Sequence, residues 1–536
     1  MRMEDLKSTT IICSGGLDSN QNWLDLNETN VGVASELVNF EPSLFGGYRR
    51  INGFTVLEET DSGEVDPSGA EGKILGVFIY DNKILAARKQ QSGATYEFYQ
   101  YVSGSSWSKY TTGLTFTSTG VNRIRYATFN FDGTEKIIFV DGVNNATLFD
   151  GTTWINIDPS ATGADYANSG GAQALAAPNY VTVFRNHLFM ARCSGACNII
   201  AHSAPNAEYN WTSAGGAGQI NAGLDIIQIK PFRDELYVFG ERRIKKIVVD
   251  SSATFVRQDV TNDIGCIASD SVMEISGDLL FLSEDGLRPI AATERINDIE
   301  LANVSKNIQQ QLKDYINQYD MNSVVSVLVP SKSQFRMFFT SESVEEASAP
   351  GIVGALVNNR GSIAWEFGKL RGIKVACATY GRYGAPLKQY VIHGDYNGIV
   401  YRQETGNSFN GSDIYAQYDT PYIHFGQANI RKTPHQILVF TRPEGAVVLN
   451  SALTYDWGLA SKINPNTYVV QTQGNPAVYG LAIYDLATYD GVTVPTMLTN
   501  VQGSGFSLKI SFSTSNQNAP YSIQGMVIKY EVNGYK

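Results

Sequence analysis

An all-β protein organised around a β-propeller is the fold this sequence predicts, and three observations predict it. Short apolar runs rich in Val, Ile, Tyr and Phe follow one another along most of the chain, and such residues suit a pleated, half-buried surface. Turn residues separate them, including Asp-Gly at 132–133, 141–142, 150–151 and 285–286, a strong short-range hairpin signal. Groups of these runs recur roughly every 46 to 56 residues, close to the ~40 to 50 of a four-stranded propeller blade. Composition agrees. Gly 50, Tyr 29 and Phe 25 stand against only 17% charged residues in 536, a chain too long for one small core.

The clearest unit covers 226–260, where runs at 226–232, 236–239, 244–249 and 255–260 are joined by Arg233-Asp234, Gly240-Glu241 and Asp250-Ser251. This reads as an antiparallel four-stranded meander. The same plan starts at 74, 124 and 180 before it, and at 272, 324 and 373 after it. Seven blades is the count, and spacing alone does not separate it from six or eight. Trp107, Trp154 and Trp365 fall near window ends, where bulky rings fill space between blades. A helix interrupts at 303–317, because Val304, Ile308, Leu312 and Ile316 recur at a four-residue step.

Flanking regions break the pattern. After about 411, strands at 415–425, 436–440, 447–453, 506–512 and 526–530 are joined by long polar loops. Phe506, Leu508, Ile510 and Phe512 alternate with Ser507, Lys509 and Ser511, placing the four apolar side chains on one face of a β-sandwich-like domain. The expected division is an N-terminal arm at 1–70, a propeller at 71–410 and the sandwich at 411–536. In the arm, 34–40 leads through Leu44, Phe45 and a glycine pair to two arginines, an edge segment that starts the fold. The arm also holds Ser14-Gly15-Gly16-Leu17-Asp18-Ser19 after Ile11-Ile12-Cys13, which looks like the phosphate loop of ATP pyrophosphatases. Glycines there would let backbone N–H groups reach phosphate. No amphipathic helix pattern follows, so a plain glycine turn is the preferred reading.

Cys13, Cys193, Cys197, Cys266 and Cys377 are odd in number and sparse, which argues against a disulfide framework. No metal site and no cofactor is expected. Cys193 and Cys197 have no second pair, and His187 and His202 sit in strand runs. The other histidines, His393, His424 and His435, stand beside no nucleophile pattern, so no catalytic residue is assigned. A net charge of −11 disfavours tight wrapping of nucleic acid. No apolar run approaches the ~20 residues of a membrane span, and no signal peptide is legible. A soluble protein made in the cytoplasm is expected.

Several stretches together resemble a known family. They are Gly46-Gly47-Tyr48-Arg49-Arg50-Ile51-Asn52-Gly53, the run 226–244, Gly265-Cys266-Ile267-Ala268 with 281–287, and the ending 520–530. They resemble the β-propeller tail proteins of short-tailed bacteriophages, including tail hub or nozzle and packaged-DNA stabilisation proteins. The resemblance implies a subunit of a hexameric ring below the portal and adaptor. That ring would continue the channel for double-stranded DNA without sequence specificity and help retain the genome in the virion.

Three function classes follow. The leading one is a structural, non-enzymatic ring subunit, with Tyr48, Arg49, Arg50, Arg242, Arg243, Lys245 and Lys246 as candidate assembly contacts. The second is a glycan-binding or glycan-hydrolysing propeller, in which Asp-Gly carboxylates would do the chemistry. Hairpin geometry already accounts for those pairs. The third is the ATP pyrophosphatase suggested by residues 14–19.

Overall fold

The computed structural model describes residues 6–22, 24–26, 30–43, 46–57, 72–90, 93–101, 107–160, 171–193, 195–251, 254–291, 303–359, 362–459, 464–471 and 496–533. Leu44, Phe45 and Val102, all in expected strand segments, lie outside them. Seven strand groups follow one another in chain order. Blade 1 comprises Ile74–Tyr80, Lys83–Lys89 and Thr95–Tyr101, with Trp107–Lys109 and Phe116–Thr117 both on its third strand. Blades 2, 3 and 4 are four-stranded meanders beginning at Arg125–Phe129, Tyr180–Phe184 and Gln228–Phe232. Among the described residues blade 5 has three strands, Met273–Ile275, Asp278–Ser283 and Gly286–Pro289. Blade 6 starts at Val325–Val329 and blade 7 at Cys377–Tyr383.

Apolar side chains from each blade mesh with those of the next. Phe78, Phe98, Phe139 and Trp154 join blades 1 and 2, and Trp211 is buried between blades 2 and 3. The fourth strand of blade 3 is Gly218–Asn221. Blade 7 packs back on blade 1 through Ile74, Val77, Tyr99, Trp107, Ile392 and Val400. Trp107 and Trp154 thus fill inter-blade space, and Trp365 stacks on Phe367 within blade 6.

The fourth strand of blade 7 comes from the start of the chain. Phe54–Val56 pairs antiparallel with Val400–Gln403, Phe54 opposite Gln403 and Val56 opposite Tyr401. Phe54 stacks on Phe409 at 5.1 Å between centroids and meets His393 and Tyr401 edge-on. A propeller blade offers unpaired backbone groups at its outer edge, and here the N-terminal segment satisfies them.

Residues 7–50 form no separate arm; they are built into the sandwich. Lys7–Ile12 pairs with Tyr521–Asn533, and the hairpin Phe40–Pro42/Tyr48–Arg50 joins the same strand. Arg431–Pro443 and Thr496–Asn500 complete this sheet. The facing sheet contains Ile414–Asp419, Leu508–Asn516, Val448–Tyr455 and Tyr468–Gln471. Glu36–Val38 lies between Ile414–Asp419 and the last strand of blade 6, Ser362–Arg371. Blade 6 and this half of the sandwich are therefore one nine-stranded sheet. The boundaries expected at 70 and 411 are crossed by strand pairing, since Lys7–Ile12, Phe40–Pro42 and Tyr48–Arg50 join the described strands after residue 411 in one sheet. No local pattern encodes that pairing.

Leu508, Ile510 and Phe512 share the buried face as expected, but Phe506 precedes the strand and is 39% exposed. The helix spans Gln309–Gln318 after a tight turn at Lys306–Ile308. Ile308 and Leu312 are buried against the sandwich core, with Val304 and Ile316 beside them, so the four-residue stripe faces inward.

Replacing Phe54 with Ala should destabilise the protein by about 3–5 kcal/mol, the usual cost of emptying a buried aromatic site. Urea unfolding followed by tryptophan fluorescence measures it, and a loss near zero would mean the ring does not rely on this strand.

Candidate functional site: the axial channel and the arm contacts

The inner strands of the blades surround a channel on the propeller axis, with a cavity of about 630 Å³. Alternation along these strands sends apolar residues such as Ile229 into the inter-blade cores. Charged residues of the same strands are left along the channel wall. Arg125 grips Asp270 with two bonds of 2.8 Å, Nε to Oδ1 and Nη2 to Oδ2. Arg123 donates to the same carboxylate, and also to the carbonyls of Ala376 (3.0 Å), Val324 (3.0 Å) and Ser323 (3.1 Å). Blade 2 is thus stapled to the stretches that open blades 5, 6 and 7. Arg125 further lies over the Tyr180 ring of blade 3 at 4.8 Å.

Electrostatics follow from this geometry. Burial alone would raise the Asp270 carboxyl, but the two guanidiniums overcome it and hold the group well below the usual carboxylate range. Asp270 is therefore ionised and committed, a poor proton donor near neutrality. Lys230 of blade 4 also lines the channel. Burial lowers its pKa, opposed by the charges of Glu274 and Asp270.

Among the described residues no three His, Cys, Asp or Glu side chains come together as metal ligands. His187 and His202 both set Nδ1 on the Ser203 carbonyl, at 2.6 and 3.1 Å. Burial pulls the fully enclosed His393 down to about 3, with the Arg336 charge adding to it, so it is neutral. The channel residues Arg123, Arg125, Lys230 and Asp270 escaped sequence reasoning. Their signal is a charge set between apolar neighbours, as in Ile229-Lys230-Pro231 and Arg123-Ile124-Arg125.

Most backbone donors of the glycine stretch near the N-terminus are occupied. Gly15 N–H donates to Glu366 Oε1 at 2.8 Å, Leu17 N–H to the Phe367 carbonyl at 2.8 Å, and Asp18 N–H to the Ala34 carbonyl at 2.9 Å. A Cβ at Gly16 would stand 2.7 Å from the Phe367 nitrogen, and its φ is +69°, so glycine is required for close crossing of blade 6. A carboxylate already sits where a phosphate would have to bind.

The candidate contact residues divide sharply. Tyr48 and Arg50 are fully buried: the Tyr48 hydroxyl donates to the Gly32 carbonyl at 2.9 Å, and Arg50 Nη1 to Asn516 Oδ1 at 3.0 Å. They hold the hairpin to the sandwich and are not surface contacts, because strands from the far end of the chain cover them. Arg49 bonds Glu444 bidentately (2.6 and 2.8 Å) and Glu41 at 3.0 Å. Glu41 also receives Lys332 (2.6 Å) and Arg336 (3.4 Å), and both of those reach Glu404. Lys245 pairs with Asp259 at 3.1 Å and Lys246 with Glu235 at 2.8 Å within blade 4. Arg242, 3.2 Å from Glu284, and Arg243 are exposed.

No protein-family model and no curated protein matches the sequence. Solved structures similar to the chain include an exo-β-1,3-galactanase from Phanerochaete chrysosporium with β-1,3-galactotriose, at 9% identity over 90% of this chain and 99% of that one, TM-score 0.24. Another is YCF48 bound to D1 peptide, at 12% identity over 62% and 94%, TM-score 0.32. A third is the extracellular domain of a one-component system from B. thetaiotaomicron, at 11% identity over 80% of this chain and 45% of that one, TM-score 0.38. Likeness this low assigns no activity or ligand.

Burial would raise Glu404, yet Arg336 and Lys332 pull it from the ordinary 4.5 to about 2. Its stabilising effect is complete above about pH 4.5 and is lost as pH falls toward 2. Acid unfolding of Glu404→Gln should accordingly be flatter across that window than that of the wild type. Arg336→Met, which deprives the 1% exposed Glu41 carboxylate of a partner, should cost about 3–5 kcal/mol by chemical denaturation at pH 7.

Proposed function

We propose that this chain is a structural virion protein of a short-tailed phage, a ring-forming subunit of the tail hub or nozzle type. In this reading it helps retain the genome and continues the DNA path below the portal and adaptor. The observation that carries the proposal is the fused sheet. Propeller and sandwich share nine hydrogen-bonded strands, and the N-terminal residues are sewn through both. The two lobes cannot part without breaking backbone pairing, which suits a part that bears mechanical load.

Other features support the same reading. In this reading the DNA path runs through the ring of subunits and not along the axis of a single propeller. A net charge of −11 lets DNA slide past with few phosphate contacts to undo. Asp270, locked between two arginines, is ill placed to serve as the acid of a glycosidase. Arg242 and Arg243 remain available as contacts to a neighbouring subunit or the adaptor.

One observation favours a second reading, glycan binding. Trp457 is 52% exposed at φ +64° and stands 4.5 Å from Tyr422, with Phe506 lining the same small recess. Such a ledge can stack on sugar rings.

Mass photometry and negative-stain imaging of the purified protein should show ring particles. Arg242→Glu with Arg243→Glu should shift them toward single subunits while changing stability by no more than about 0.5 kcal/mol. A monomer that binds oligosaccharide, with binding lost in Trp457→Ala, would replace the assembly reading by the glycan one.

A further inference from the structure

The axial channel carries unspent charge. Four of its lining residues are ionisable as cations or carboxylates, Arg123, Arg125 and Lys230 against Asp270, in a protein whose overall charge is −11. Both arginines are already engaged by Asp270 and by backbone carbonyls. Lys230 differs. Among the described residues its ammonium makes no hydrogen bond and no ion pair, although Glu274 on the inner strand of blade 5 is near enough to act on it electrostatically. Across the channel on blade 6, the Ser326 hydroxyl is buried and has no partner among the described residues. The Thr182 hydroxyl group of blade 3 belongs to the same wall.

A half-buried ammonium on the channel wall and a buried, unused hydroxyl both gain from an acceptor bearing negative charge, the hydroxyl most, since it has lost water's hydrogen bonds on folding. An apolar ligand would leave both unsatisfied, and a cation would meet a wall with two charges in excess. We infer that the axial channel binds a small oxyanion, a phosphate or a carboxylate, received by Lys230 with hydroxyl donors from neighbouring blades. Glu274 limits the site to ligands of low charge. Bound there, the anion would add a bridge between blades to those made on the axis by Arg123 and Arg125, by Gln228 to the Ser269 carbonyl and by Tyr126 to Thr379. This inference is independent of ring assembly and of the phage reading.

Isothermal titration of the full chain with inorganic phosphate and, separately, with acetate tests it, with chloride at matched ionic strength as the control. Saturable binding of one oxyanion per chain is expected. Lys230→Met should weaken it by about tenfold or more, and Glu274→Gln should tighten it. The comparison of phosphate with acetate identifies the preferred oxyanion. If Lys230→Met fails to fold, acetic anhydride labelling of the wild type decides: the bound anion should slow acetylation of Lys230 and leave the exposed Lys388 unchanged. Absence of saturable binding to either oxyanion, equal affinity in Lys230→Met, or unaltered labelling of Lys230 would overturn the inference.

Discussion

Backbone pairing between the two ends of the chain is the interaction on which the rest of this structure depends. Phe54–Val56 completes blade 7, and Lys7–Ile12 lies along Tyr521–Asn533. Without the first, blade 7 would present an open edge and the Phe54 pocket would be empty. Without the second, the sandwich would lose one strand from a sheet whose inner face includes Ile11, Ile437, Ile523 and Ile528. Each blade of three to five short strands shows apolar side chains that its neighbours cover, as Phe78 and Phe98 of blade 1 meet Phe139 and Trp154 of blade 2. The circle supplies those neighbours only when it is complete.

The same logic explains how an acidic protein comes to bury so many cations. Arg50, Arg88, Arg288 and Arg336 are among its largest fully enclosed side chains. A guanidinium presents five donors in a planar fork, so one residue can bind several elements that meet at a junction. Arg123 does this on the axis, pairing with Asp270 while donating to three separate carbonyls. Arg336 does it where blade 6, the hairpin at Phe40–Pro42 and the end of blade 7 converge, reaching Glu41, Gln403 and Glu404. These contacts favour one arrangement of the sheets by leaving a buried charge stranded in any other.

What the sequence disclosed followed the range of the physics involved. Strand runs, Asp-Gly turns and the stripe Val304, Ile308, Leu312 and Ile316 are short-range patterns, and the blades and helix they implied are present. Pairing across the chain is long-range. Nothing near residues 54–56 indicates that they oppose 401–403, so the opening residues looked like an arm. Tyr48-Arg49-Arg50 resembled a basic surface patch because Asn516, the residue that encloses Arg50, lies 466 positions away. Lys230 was passed over for a related reason: inside a run such as Ile-Lys-Pro-Phe, one charge is unremarkable until seven such strands are gathered about an axis.

Pairing Lys7–Ile12 with Tyr521–Asn533 has a consequence for biosynthesis. The two strands lie roughly 500 residues apart in the chain, so Lys7–Ile12 has no mate until that intervening length has been made. At roughly 5–20 residues per second, the leading segment waits on the order of half a minute or longer with its hydrogen-bonding edge and Ile11 uncovered. Newly made chains at high concentration would then find one another's unpaired ends, and holding them apart falls to chaperones or to slow, well-spaced expression.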